Sequence, residues 1–315
     1  MFESLKIKNR SIMLDTDIGP DCDDVGALAV MFSYAKENGV SVLGVCNCTS
    51  NEYGTATVDA IREYCDFPEF TLGMYSKSGF YADAQSYNKY VAENFSTKYK
   101  NNTLKYLPNV EYYRTLLANA EDDGVILVTI GMFNTFAEFL KSEADEISPL
   151  TGIQLAKKKL HSVVSMAAVL PAGREFNVLC DYEASRFCFE NCPVPMYLSD
   201  FKIGHSVRTG WGTKSEHGLS GTPIIDSYRL YNNDEKRASY DLTAVQFAFE
   251  GEGKLYSLTP AGRLEFFNEA PDRIPVPDAT RFVECEDGNI RFMIKNVSDE
   301  EIAASLQARM DEFNA

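Results

Sequence analysis

The 315-residue chain is short of basic residues, with 30 lysines and arginines against 46 aspartates and glutamates and a formal net charge of −16. Nucleic acids and anionic membranes need a basic face, so neither is expected as a partner. A neutral or cationic small molecule, or one drawn to a bound cation, suits this charge better. No CxxC pair occurs among the eight scattered cysteines. Zinc ligation and a disulfide framework are therefore not expected; buried thiols in a reducing cytoplasm are. Residues 1–10 carry no apolar signal core, and no apolar run approaches membrane-spanning length. Repeats and low-complexity linkers are missing too, which makes one domain over residues 1–315 the simplest division.

Acid, by contrast, is concentrated. Asp15-Thr16-Asp17-Ile18-Gly19-Pro20-Asp21-Cys22-Asp23-Asp24 holds five carboxylates in ten residues. The apolar run Ser11–Leu14 precedes it, and Val25–Phe32, apolar at helical spacing, follows. The pattern predicts strand, tight turn and helix. Carboxylates this close raise one another's pKa unless a cation compensates them. Several hard oxygens on a flexible turn favour calcium. An EF-hand loop is excluded: counted from Asp15, its sixth position is Pro20 and its twelfth Gly26, where glycine and glutamate are required.

Further strand-turn-helix units follow. Val40–Cys48 predicts a strand ending near Asn51, a residue equally suited to capping the helix expected over Tyr53–Tyr64. Phe70–Met74 is a short strand, and the tyrosine-rich stretch Ser76–Lys105 suits a site-covering loop with short helices of its own. Gly124–Ile130 is an apolar strand entering Gly131-Met132-Phe133-Asn134 and another helix, with further strands at His161–Ala167 and Val194–Leu198. This alternation predicts an α/β fold with an open, mostly parallel, Rossmann-like central sheet flanked by helices. Ligands of such sheets sit beyond the carboxyl ends of the strands, where the acidic turn lies. Later, Asn232–Ala238 reads as a loop before a helix near Asp241, short alternating strands occupy the tail, and Asp299–Phe313 is a closing helix.

These motifs resemble the inosine/uridine-preferring nucleoside hydrolase family. Asp15-Thr16-Asp17-Ile18-Gly19…Asp23-Asp24 is similar to its opening aspartate cluster, with Asp21-Cys22 interposed; Asp21 has no assigned role. Ser50-Asn51, Ile130-Gly131-Met132-Phe133-Asn134, Glu175-Phe176-Asn177 and Asp241 follow in the family's order over residues 11 to 250. The resemblance implies hydrolysis of the N-glycosidic bond of ribonucleosides to free base and ribose through a calcium-bound water, a reaction of purine and pyrimidine salvage. It places Ca²⁺ on Asp17, Asp24, the Ile130 carbonyl and Asp241, makes Asp17 the base that activates water, and puts Asp23, Asn51, Glu175 and Asn177 on the ribose hydroxyls. Homodimers or homotetramers are implied by analogy. One departure stands out: the residue before the late aspartate, a histidine leaving-group acid in the family, is Tyr240. A phenol with a reference pKa near 10 is a reluctant donor. His205 and His217 are further candidate acids, and Trp211 or a loop tyrosine a candidate stacking platform.

Two other readings compete. A calcium-dependent nucleoside or ribose binder that has lost turnover accounts for the missing histidine. Asp15-Thr16-Asp17 after an apolar strand also resembles the nucleophile motif of haloacid-dehalogenase-type phosphatases, but Gly19 stands where that family has threonine or valine.

Overall fold

A computed structural model of the protein describes residue 7 and residues 9–84, 86–212, 214–231, 236–267 and 279–314. The predicted loop Asn232–Ala238 is described only from residue 236 onward. The first seven strands are β1 (Ser11–Thr16), β2 (Val42–Asn47), β3 (Thr71–Met74), β4 (Leu107–Pro108), β5 (Val125–Thr129), β6 (Leu160–Met166) and β7 (Ala172–Gly173). They are followed by β8 (Met196–Ser199), β9 (Arg208–Thr209), β10 (Arg237–Ala238), β11 (Tyr256–Leu258), β12 (Gly262–Phe266), β13 (Thr280–Glu284) and β14 (Ile290–Lys295). One sheet takes all but β9 and β10, which pair with each other.

Its order is β4-β3-β2-β1-β5-β6-β8-β14-β12-β13-β7, with β11 added along β14. The strands from β4 across to β14 run parallel, and β12, β13, β7 and β11 join antiparallel. The chain steps outward from β1 to β4 and then returns to lay β5 on the other side of β1. That reversal opens a crevice at the carboxyl ends of β1 and β5. The acidic turn leaves β1 there, and Ile130-Gly131 leaves β5 beside it.

Strand side chains alternate between two cores, as the pleat requires. Ile12, Leu14, Ile126 and Val128 enter one core, and Met13, Val125 and Leu127 the other. Parallel strands covered on both faces need no polar side, which explains their unbroken apolar runs. The helix Asp23–Asn38 is buried from Asp23 to Ala35, wedged against the helices Tyr240–Glu250 and Asp299–Asp311. A helix enclosed on every side is apolar on every side. It stops at Gly39, whose φ of 63° closes the left-handed cap. Among the described residues, no helix is long and apolar enough to cross a membrane.

A candidate metal and sugar site at the sheet's switch point

Asp15 and Asp17 leave β1 in different company. Asp15 is fully enclosed and accepts hydrogen bonds from the hydroxyls of Tyr113 and Thr135. Burial nevertheless pushes its carboxyl up to about 7. Asp17 instead lines a cavity of about 300 Å³. The two turns touch here: a Cβ on Gly131 would lie 2.5 Å from the Asp17 nitrogen, so only glycine lets β5 end this close to β1.

The helix Asp23–Asn38 brings Asp23 and Asp24 in its first turn, and Tyr240–Glu250 brings Asp241 in its own. Both helix N-termini face the carboxylates, which their dipoles favour. Asp23 is held by the protein through one oxygen, the other being buried without a hydrogen-bond partner. Its Oδ2 accepts the Asp241 N–H at 3.1 Å, and its Oδ1 stands 3.8 Å from Arg237 Nε. Asp24 accepts the Thr16 hydroxyl on Oδ1, while its buried Oδ2 has no hydrogen-bond partner. Asp21, without a role from the sequence, joins Asp24 and Asp241 in a group in which one carboxylate oxygen from each lies within 4.8 Å of the others. Asp17 is not a member of this group but feels the repulsion of Asp21, Asp23 and Glu175 and lines the same cavity as Asp21 and Asp241.

Burial first, then mutual repulsion, raises the carboxyls of Asp17, Asp23, Asp24 and Asp241 well above the usual carboxylate range. Unpaired buried carboxylate oxygens are costly, and hard oxygen donors without sulfur or imidazole suit calcium. The residues present therefore fit a divalent cation, and the orphaned Asp24 Oδ2 is the observation that tests the fit.

Across the cavity, Glu175 is buried and accepts backbone N–H groups from Asn177 at 2.8 Å, Val178 at 3.0 Å and Ala168 at 3.3 Å. The bonds from Asn177 and Val178 cap the helix Phe176–Cys180; burial outweighs all three and holds the Glu175 carboxyl up at about 7. Asn177 donates from Nδ2 to the carbonyls of Ile130 and Met166, each at 3.2 Å. Glu175, Asn177 and Ile130 thus share the cavity with Asp17 and Asp241. Among the described lining residues Asn51 is not found. Its Oδ1 accepts the Tyr53 N–H at 3.0 Å, fastening the turn before the helix Gly54–Tyr64.

The outer wall is aromatic: Phe176, Phe201, Tyr231 and Tyr240. Tyr240 stacks on Phe201 at 5.2 Å, and its hydroxyl lies 2.9 Å from His205 Nδ1. Arg237, on β10, donates from Nη2 to Asp21 Oδ2 at 2.7 Å. Its guanidinium carbon is 5.2 Å from the centre of the Tyr231 ring and 5.6 Å from that of Tyr240. Neither His217 nor Trp211 is among the described lining residues. The Trp211 indole donates to Asp311 at 2.9 Å and packs edge-on to Tyr228. The tyrosine-rich stretch reaches the rim through Tyr81, whose ring meets Phe176 at 6.0 Å.

Sequence reasoning missed Arg237, Phe201 and Tyr231 as lining residues, and Asp21 as a member of the tight acid group. Asp21 carried a signal in its neighbours. The other three carried none, because nothing in their spacing links them to the acidic turn.

No family model and no curated protein sequence matches the chain. Solved structures do match in shape. An inosine-uridine preferring nucleoside hydrolase from Bacillus anthracis superposes with a TM-score of 0.69 at 14% identity, over 96% of this chain and 99% of that one. A plant nucleoside hydrolase gives 0.64 at 15% identity, over 96% and 99%. The type III effector protein XopQ, complexed with adenosine diphosphate ribose, gives 0.65 at 13% identity, over 98% and 95%. The chain therefore has the nucleoside hydrolase fold.

Proposed function

We propose that the protein hydrolyses the N-glycosidic bond of ribosides with the help of calcium, releasing ribose and a free base. One observation carries this reading: Asp17 and Asp21 from the turn after β1 and Asp241 from a helix start line one cavity, with Asp24 grouped behind Asp21 and Asp241 and an amide and a main-chain carbonyl among the other lining groups. The shape likeness to two nucleoside hydrolases supports it, and a neighbour solved with adenosine diphosphate ribose supports a ribosyl ligand.

Asp17, Asp24, Asp241 and the Ile130 carbonyl would hold the cation, with Asp21 within reach. Calcium there would lower the pKa of a water and take up sugar hydroxyls. Asp17, open to the cavity, accepts the proton from the attacking water. Asn177 and Glu175 face the ribose hydroxyls. Asp23 serves as a positioning residue, fixing the Asp241 backbone, and Asn51 positions the turn behind the site. Positive charge developing on the sugar ring is stabilised by carboxylates already oriented toward it.

A second reading, calcium-dependent binding without turnover, is favoured by one feature: the Tyr240 hydroxyl is engaged by His205. Ribose release from a panel of nucleosides, with calcium and with chelator, decides. Calcium-dependent release supports hydrolysis, binding without product supports the second reading, and indifference to chelator contradicts both.

A further inference from the structure

We propose that the preferred substrate is a riboside whose aglycone is a cationic heterocycle, such as a pyridinium or an N-alkylated purinium ring. This rests on the hydrolase reading above and concerns what that site selects.

The first argument is the leaving group. A neutral nucleoside expels an anionic base unless an acid protonates it, whereas a cationic ring departs neutral and needs no proton. Among the described residues lining the cavity there is no imidazole and no lysine. His205 is exposed, outside that lining, and its Nδ1 and the Tyr240 hydroxyl are spent on each other at 2.9 Å. The Glu175 oxygens accept three backbone N–H groups and, in the reading above, face the ribose hydroxyls rather than the base. Arginine does not give up its proton.

The second argument is charge. Asp17, Asp21, Asp241 and Glu175 line the cavity with Asp24 grouped beside Asp21 and Asp241, and Arg237 is the one lysine or arginine among the described lining residues. Even with a divalent ion bound, the acids outnumber the positive charges.

The third is shape. The aromatic wall already receives a flat, delocalised cation, because the Arg237 guanidinium lies against the rings of Tyr231 and Tyr240. Phe176 and Phe201 add ring surface that is 50% and 37% exposed. Aromatic faces attract cationic ligands more strongly where water is excluded.

The step balances without an acid. A water oxygen bonds to the anomeric carbon, the carbon–nitrogen bond breaks, and its electron pair discharges the ring nitrogen. The water's proton passes to Asp17 and then to solvent.

The test uses the intact protein with calcium and two substrate pairs: nicotinamide riboside against uridine, and N7-methylguanosine against guanosine. In each pair kcat/KM should favour the cationic member by about tenfold or more. Intrinsic lability is separated by competition: 1-methylnicotinamide should inhibit at about tenfold lower concentration than nicotinamide. Equal or better cleavage of the neutral members, or equal inhibition by the two pyridines, overturns the proposal and leaves the hydrolase reading standing. No ribose release from any of the four overturns the hydrolase reading, and this proposal with it.

Discussion

Adjacent acids at this site each keep one buried oxygen without a hydrogen bond, but that of Asp23 stands 3.8 Å from Arg237 Nε, while Asp24 is grouped with Asp21 and Asp241. Asp24→Asn should therefore abolish calcium-dependent stabilisation and lower ribose release by about 10²-fold or more. The same variant, relieved of one crowded like charge, should melt above the wild type in chelator; melting curves with and without calcium check both signs. Glu175 gives a pH dependence. Its folded carboxyl titrates near 7, above the usual 4.5, so the folded state holds the extra proton between those values. Stability is full below about 4.5 and declines as pH rises toward 7, by on the order of 3 kcal/mol. In chelator, Glu175→Gln should flatten that decline in denaturant titrations at pH 5 and pH 8. At this scale the sequence was informative where chemistry is contiguous, as in Asp15–Asp24 and Glu175–Asn177. It was silent on Arg237, whose meeting with Asp21 depends on a fold that joins residues 216 apart in sequence.

Elements decide how rigidly those residues are presented. Strand ends and helix starts meet through glycine: a Cβ on Gly131 would strike the Asp17 backbone. Gly131→Ala should destabilise the protein by about 1–3 kcal/mol and reduce ribose release more than a distant substitution of equal cost, as paired denaturation and activity assays would show. Asn51→Ala removes the acceptor for the Tyr53 N–H and should cost about 1 kcal/mol, with faster amide exchange at the start of the helix Gly54–Tyr64. Most elements were legible because their periods are clean and their punctuation is chemical, as at Asn38-Gly39. The helix Phe176–Cys180 was not: five residues are too few to show a period, and its cap is the Glu175 side chain.

At the scale of the whole molecule, the reversal of strand order at β1 places the site, and the parallel centre of the sheet followed from alternating strands and helices. The order in which the tail strands join did not, since short alternating runs specify a strand without its partner. We propose that the chain behaves as one unit, because one sheet runs through it. It should melt in a single transition, raised by roughly 3–8 °C in calcium at a hundred times its dissociation constant.

The most direct test of the central claim is a crystal structure of the protein grown with calcium and a riboside. The account predicts one ion in contact with the carboxylates of Asp17, Asp24 and Asp241 and the Ile130 carbonyl, with the ribose hydroxyls on its open side. Carboxylates bonded only to one another and to Arg237, with the riboside elsewhere, would contradict it.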